Sequence, residues 1–327
     1  MGHQPKVSVG MPVYNGEKFV AEAIESILGQ SLGALELIIY DNASTDGTEE
    51  ICREFAKADT RVRYARNARN LGADPNYNLC LHAAAAPYFK WAAHDDRLAP
   101  RYLEACVAAL EAEPDAVLCH SQVRIIDALG RTIGDFDEEY ATAGAGRPRP
   151  SQRFAPIVLQ SRLCSEIFGV IRTEWLRRTG LHRGFYNSDR VLLAELALLG
   201  RFLTIDEPWF ENRDHDLRYV RSARLTNQRA WHDTARAHRM VLPHLEMWRA
   251  LVQMVGRHVG DRRERLRCYG ALLGWWGVNW NLLRIAADPI CAINPNLIAR
   301  FERLKHRLVG ASAHNAVNFR NIPRQRP

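Results

Sequence analysis

Short apolar runs alternate with stretches of helical period through the first two hundred residues. Val7-Ser8-Val9-Gly10-Met11 has the pattern of a strand and gives way to turn chemistry at Pro12-Val13-Tyr14-Asn15-Gly16-Glu17. Phe19, Val20, Ala23, Ile24, Ile27 and Leu28 then recur at helical spacing, and Gly29 closes that helix. Leu35 to Tyr40 is a second strand, apolar except for Glu36. A strand, a helix and a strand within about thirty residues form a βαβ unit, whose two strands run parallel.

The alternation continues. Asp46 and Glu49 have the spacing of a capping box, ahead of a helix with Ile51 and Phe55 on its buried side. Arg61 to Ala65 reads as a third strand, Asn70-Leu71-Gly72 as a turn, and Asn76, Leu79 and Ala83 as a helix ended by Pro87. Tyr88 to Ala93 reads as a buried strand that runs into His94-Asp95-Asp96. A helix from Pro100 to Glu113, a strand from Ala116 to His120 and a hairpin from Ile125 to Ile133 come next. Gly144 to Pro150 has the composition of a mobile loop. Further on lie a strand at Ile167–Arg172, a helix from Glu174 to Gly180, an apolar helix from Val191 to Leu199 and a strand at Phe202–Ile205. The expected class is α/β, with a Rossmann-like, mostly parallel sheet flanked by helices.

The tail is different. Trp231, Ala235, His238, Val241, Leu245, Trp248, Val252 and Val255 make a helical stripe, with a kink expected at Pro243. Asp261 and Glu264 resemble a capping box for a second helix with the stripe Leu266, Tyr269, Leu273, Trp276, Trp280 and Leu283, which Asp288-Pro289 should break. Asn294-Pro295 should open a third helix that Gly310 ends. The expected division is residues 1–226 as the main domain (halves 1–120 and 121–226), 227–310 as a basic helical extension, and 311–327 as a disordered tail.

Charge sharpens that division. From Arg213 onward there are 21 Lys and Arg against 8 Asp and Glu, while the whole chain is only +7. A basic tail behind an acidic front points to an anionic partner for the tail, such as a lipid surface, with Arg262, Arg263, Arg265 and Arg267 beside its aromatic residues. No known nucleic-acid module stands there, so no nucleic-acid partner is expected. The seven cysteines are scattered and contain no C-x-x-C pair, which fits reduced thiols. The first residues carry no apolar leader and no stretch reaches the length of a membrane span, so a cytoplasmic protein is expected, with a peripheral place at the inner face of the plasma membrane for the basic tail.

The candidate chemistry lies where strands end. Adjacent carboxylates such as Asp95 and Asp96 repel each other, and a hard divalent cation relieves that repulsion while gripping a diphosphate. Asp41 follows the second strand, where an acid can accept hydrogen bonds from a nucleotide. Asp189 precedes an apolar helix, as a cap would. No Gly-x-Gly-x-x-Gly and no Gly-Lys-Ser/Thr occurs, which argues against a dinucleotide fold and a P-loop.

Val9-x-Met11-Pro12-Val13-Tyr14-Asn15-Gly16-Glu17, Asp41-Asn42-Ala43-Ser44-Thr45-Asp46-Gly47-Thr48, Asn70-x-Gly72 and His94-Asp95-Asp96 come in the order of the family 2 glycosyltransferases, which this chain resembles over roughly residues 6 to 216. The resemblance implies an inverting enzyme with a GT-A fold. It implies a nucleotide-sugar site from Pro12, Tyr14, Asn15, Glu17, Asp41, Asn70 and Asp95, and Mn²⁺ or Mg²⁺ at Asp96 and His215. It also implies Asp189 as the catalytic base, with a glycan or lipid-linked saccharide as acceptor in bacterial cell-surface polysaccharide synthesis. His94, Asn42 and Ser188 stand where acids are common in the family. No Gln-x-x-Arg-Trp motif of processive synthases is present, so addition of one or a few sugars is expected. Two other classes stay open at this point. A sugar-phosphate nucleotidyltransferase should carry a basic, glycine-rich loop after the first strand, and a catalytically inactive nucleotide- or glycan-binding protein could spare Asp96 and Asp189.

Overall fold

The computed structural model describes residues 4–136, 145–160, 164–216, 231–236 and 242–293. Its strands are β1 (Val7–Val13), β2 (Leu35–Asp41), β3 (Val62–Arg66), β4 (Tyr88–Trp91), β5 (Arg97–Leu98), β6 (Ala116–Ile126), β7 (Thr132–Phe136), β8 (Val170–Arg172) and β9 (Arg201–Arg213). Its α-helices are α1 (Val20–Leu28), α2 (Thr48–Ala58), α3 (Ala73–His82), α4 (Tyr102–Ala112), α5 (Pro150–Leu159), α6 (Thr173–Leu176), α7 (Ser188–Leu199), α8 (Pro243–His258), α9 (Arg262–Gly277) and α10 (Asn281–Ile293). All seven residues of β1 are buried, because both faces of that strand are covered by helices. One sheet holds every strand in the order β3-β2-β1-β4-β8-β6-β9-β5, with β7 paired to β6. The first four strands are parallel, β8 runs antiparallel to both β4 and β6, and β9 is parallel to β6.

The apolar patterns put helices on both faces. Val20, Ala23, Ile24 and Ile27 of α1 and Leu103, Cys106, Val107 and Leu110 of α4 share one core with β1. On the other face, Leu192, Leu193 and Leu196 of α7 share a second core with Phe89 and Trp91 of β4. The tail completes that second core through Met254 and Val255 of α8 and Cys268, Leu272 and Trp275 of α9. A buried side chain of this size contributes about 1.5–3 kcal/mol, so the tail is bound to the main domain by its own apolar face.

Several elements depart from the sequence reading. β6 and β9 are much longer than their apolar starts, because their far halves have one wet face and carry polar residues. α2 begins at Thr48, since Asp46 spends one oxygen on Thr48 and the other on the Glu17 N–H instead of closing a box with Glu49. α5 starts inside the segment read as a mobile loop, with Pro150 at its first turn. Pro243 likewise opens α8 and does not kink it. Asp261 does cap α9 by accepting the Glu264 N–H at 2.7 Å. The buried stripe of α9, however, is Cys268, Leu272 and Trp275, so Leu266 and Leu273 face outward. Asp288-Pro289 does not break α10. Asp288 turns toward α8 and accepts the N–H groups of His244 and Leu245, capping a neighbouring helix. The helix expected after Asn294 and the tail after Ala311 lie outside the described residues.

Candidate active site

The turns after β1 and β2 are knitted together. Asn15 sits at φ +52°, donates its own N–H to Ser44 Oγ (2.9 Å) and accepts the Thr45 N–H at Oδ1 (2.9 Å). Gly16 donates to Thr48 Oγ1, and Glu17 accepts the Gly47 N–H at 2.7 Å. Asn15 and Glu17 therefore shape this edge of the crevice, while Tyr14 stays 44 % exposed at its rim. Pro12 is tolerated in a central strand because β4 pairs with β1 only as far as Gly10. The missing N–H of Pro12 points to the side where β4 has already peeled away. That gap is the crevice outside the strand ends, where open α/β sheets bind ligands.

Asp41 is fully buried at the end of β2. It accepts the Ser44 N–H (2.8 Å) and the Tyr64 hydroxyl (2.8 Å) and pairs with Arg66 Nε (3.3 Å). Burial, then the hydrogen bond and charge of Asp41, push the Tyr64 phenol far above its ordinary pKa. Asn42 explains its own identity. Its amide donates to Asn70 Oδ1 and the Gly72 carbonyl while its oxygen accepts from Asn67 and the Leu71 N–H. A carboxylate could not donate either bond. Asn70 accepts a second time from the Gly72 N–H. Gly72 itself (φ +91°) lies under the backbone of His232 and Asp233, where a Cβ would come within 2.7 Å.

β4 ends at Trp91, and the acids lie in an extended connection to β5. The His94 ring packs where a Cβ on Gly16 would stand. Asp96 accepts the Arg213 N–H (2.9 Å) and the Asn212 amide (3.1 Å). Asp95 Oδ2 lies 2.9 Å from His215 Nε2. Because an ionised carboxylate only accepts, Nε2 carries the proton in the neutral ring and Nδ1 keeps a lone pair. That Nδ1 is buried and has no hydrogen-bond partner, and the ring leans on Phe19 at 4.7 Å. Arg213 is wholly buried below, donating Nε to the Asp95 carbonyl and a terminal nitrogen to Glu22, with its guanidinium over Phe19.

Asp96 offers carboxylate oxygens, the donors a hard cation takes, and His215 offers a bare ring nitrogen. Mg²⁺ and Mn²⁺ sites of this kind use one or two carboxylates and complete their shell with water and substrate phosphates. Among the described residues no three His, Cys, Asp or Glu side chains come together as a group that could hold a metal ion. The orphaned Nδ1 of His215 is the observation that asks for a partner.

Asp189 lies in the first turn of α7, half-buried. It is not the cap: Asn187, at φ +63°, is the residue before the helix. One Asp189 oxygen accepts the Arg190 N–H at 2.7 Å. His182 feels Asp189, Tyr77 lies edge-on to His182 at 5.1 Å, and the Tyr77 phenol, raised chiefly by burial, is raised further by Asp95 and Asp96. Sequence reasoning missed Asp74, Asn78 and His182, which join this region through contacts more than a hundred residues apart in sequence.

Residues 8–180 match the model of Glycosyl transferase family 2. The chain belongs to that family. Among curated relatives, the putative glycosyltransferase EpsE of Bacillus subtilis is 39% identical over 40% of this chain and 47% of its own length. The GalNAc(5)-diNAcBac-PP-undecaprenol beta-1,3-glucosyltransferase of Campylobacter jejuni is 25% identical over 59% of this chain and 60% of its own. The chain thus spans about half the length of the curated relatives it matches. Among solved structures, S. aureus TarS 1-349 aligns at TM-score 0.60 with 16% identity, covering 90% of this chain and 82% of that one. The mannosyltransferase PcManGT of Pyrobaculum calidifontis, solved with GDP-Man and Mn²⁺, aligns at 0.52 with 18% identity, covering 92% and 80%. This family 2 chain has the GT-A fold, with helices added at its C-terminal side.

Proposed function

We propose that this chain is an inverting, metal-dependent glycosyltransferase that moves a sugar from a nucleotide-sugar donor to a hydroxyl of a glycan or lipid-linked saccharide. The observation that carries the reading is the pair Asp95–Asp96, held by Arg213 of β9 and by His215, whose Nδ1 is orphaned. The nucleotide lies along Pro12, Tyr14, Asn15 and Glu17, with Asn70 bracing the wall. Asp41 holds Tyr64 and Arg66 at the base end of that wall.

Asp96 and His215 would hold a divalent cation, which would supply neutralisation of the departing diphosphate, with Asp95 fixing the His215 ring. Asp189 takes the acceptor hydroxyl's proton while that oxygen bonds to the anomeric carbon. The bond from that carbon to the diphosphate breaks in the same displacement, so the carbon inverts. The proton ends on Asp189 and the electron pair on the leaving nucleotide.

A lipid-linked acceptor and a peripheral place at a membrane rest on two supports. One is the Campylobacter relative, named for an undecaprenol-linked substrate. The other is the outer face of α9 and α10, where Leu266, Leu273, Leu282, Leu283 and Ile290 are exposed near Arg262, Arg263 and Arg267. No described helix is long and apolar enough to cross a membrane. Trp275 is not part of that face: it is buried and stacks at 5.6 Å on Trp248.

Nucleotide release from UDP-GlcNAc, UDP-glucose and GDP-mannose, measured with Mn²⁺, with Mg²⁺ and with excess chelator, tests the reading. Release from at least one donor, lost in chelator, is expected. Full release in chelator would remove the metal, and neither release nor calorimetric binding of any donor would remove the transferase.

A further inference from the structure

Three groups of α3 and its neighbours lie outside the mechanism above. Asp74, in the first turn of α3, is only 4 % exposed. Its Oδ2 accepts the Gly184 N–H at 2.8 Å and the Ser188 hydroxyl at 2.9 Å. Its Oδ1 lies 3.3 Å from His232 Nδ1. One turn later, Asn78 donates to the His182 carbonyl (2.8 Å) and accepts the His182 N–H (3.2 Å). One helix thus grips the segment before Asp189 at residues 182, 184 and 188.

That segment needs a grip. Gly184 (φ +73°) and Asn187 (φ +63°) are both left-handed, so the chain reverses sharply just ahead of α7. Nothing in its own short sequence fixes the angle at which Asp189 emerges. The same helix holds the nucleotide side: Asn76 donates to the Tyr40 carbonyl, one residue before Asp41.

We propose that Asp74 is a positioning residue for Asp189, fixing the start of α7 through Gly184 and Ser188. The inference rests on Asp189 as the base. Ser188 gives its proton to Asp74, so its oxygen is left to accept from His182 Nδ1 at 3.3 Å. His182 Nε2 is then a bare, buried acceptor with no partner, in the electrostatic reach of Asp189. Burial alone would raise the Asp74 pKa, but its bond to His232 and the nearby His182 and Ser188 hold it below the usual range. It therefore serves as an acceptor-only carboxylate, the form that two donors require.

Two measurements on the full chain test the proposal. Hydrogen exchange of the peptide spanning residues 182–190 should quicken about tenfold or more in Asp74→Asn and in the milder Ser188→Ala, with the β1 and β2 peptides unchanged. Nucleotide release from whichever donor of the panel above turns over fastest should fall roughly 10- to 100-fold in Asp74→Asn, with donor Kd within about twofold of the parent. In an Asp189→Asn background, Asp74→Asn should cost nothing further, because its effect passes through Asp189. Unchanged exchange at 182–190, or equal losses in both backgrounds, would overturn the assignment. Normal turnover by Asp189→Asn would instead remove the base, and the exchange result would still decide whether Asp74 holds the segment.

Discussion

Arg213 and Asp96 are joined through the main chain: the Arg213 N–H donates to Asp96 Oδ1 at 2.9 Å. The side chain of the same arginine turns away from the crevice. Its Nε donates to the Asp95 carbonyl at 2.8 Å, its terminal nitrogens reach Glu22 and the Asp127 carbonyl, and its face covers Phe19. One residue at the end of β9 therefore sets the backbone of one acid and the carboxylate of the other. Arg97 braces the arrangement from β5, pairing with Glu22 and Glu211.

Replacing Arg213 by Ala leaves buried carbonyls without a donor and empties the space over Phe19. Glu22 is partly exposed, so the ion pair itself counts for less than a fully buried one. We expect a loss of roughly 2–3 kcal/mol in urea unfolding, together with weaker Mn²⁺-dependent donor binding. Arg213→Lys should recover part of the stability and little of the binding, since an ammonium cannot supply the fork. Parent-like urea midpoints for Arg213→Ala would show that the arginine braces nothing.

Lys90 gives a pH dependence. Its ammonium is fully buried on β4, donates to the Trp91 and Phe168 carbonyls, and sits 5.1–5.9 Å from the rings of Tyr102, Phe168 and Phe210. Burial pushes it down to about 7. An unfolded lysine holds its proton to about 10.4. Between those values the unfolded chain binds more protons, so this group makes stability rise with pH, by at most about 1.4 kcal/mol per unit. Below about 7 both states are protonated and the full cost of burial stands. Lys90→Met should therefore be more stable than the parent at pH 6 to 7, by a margin that shrinks as pH rises toward 10. Urea melts from pH 6 to 9.5 check this. A flat margin would show that rings and carbonyls keep Lys90 charged.

The outer face of α9 and α10 gives a lipid test. Sedimentation with phosphatidylcholine vesicles, with and without phosphatidylglycerol, should show binding to the anionic vesicles only. Binding should weaken between low salt and about 0.5 M as screening shortens the reach of Arg262, Arg263 and Arg267. Leu266→Glu with Leu273→Glu should abolish it. Equal binding to neutral vesicles would remove the electrostatic part.

The sheet and the crevice were legible because their signals are local. Apolar runs, turn residues and an acid at the end of a strand lie within a few positions of one another, and the family's blocks keep that order. The features that stayed hidden depend on residues far apart in sequence. Lys90 sits in a run read as apolar, and only the aromatic rings around it show why a lysine is held there. Asp74 belongs to no motif, and its partners are about 110 positions downstream. In α9 the helical period allows two faces one residue apart. Packing against α5 and α8 selects Cys268, Leu272 and Trp275 over the face read from sequence. Asp288 looked like a breaker beside Pro289 because its true partner is the start of another helix.

The proposed proton transfer rests on Asp189. General-base help of this kind is typically worth about 10² to 10⁴ in rate. Asp189→Asn keeps the size of the side chain and its place in the first turn of α7, and removes only the capacity to take a proton. The decisive measurement is single-turnover transfer by this variant in Mn²⁺, beside its donor affinity by calorimetry. Donor affinity close to that of the parent and a rate at least about a hundredfold lower are expected. A variant that binds donor and transfers at nearly the parent rate would contradict the proposed proton transfer.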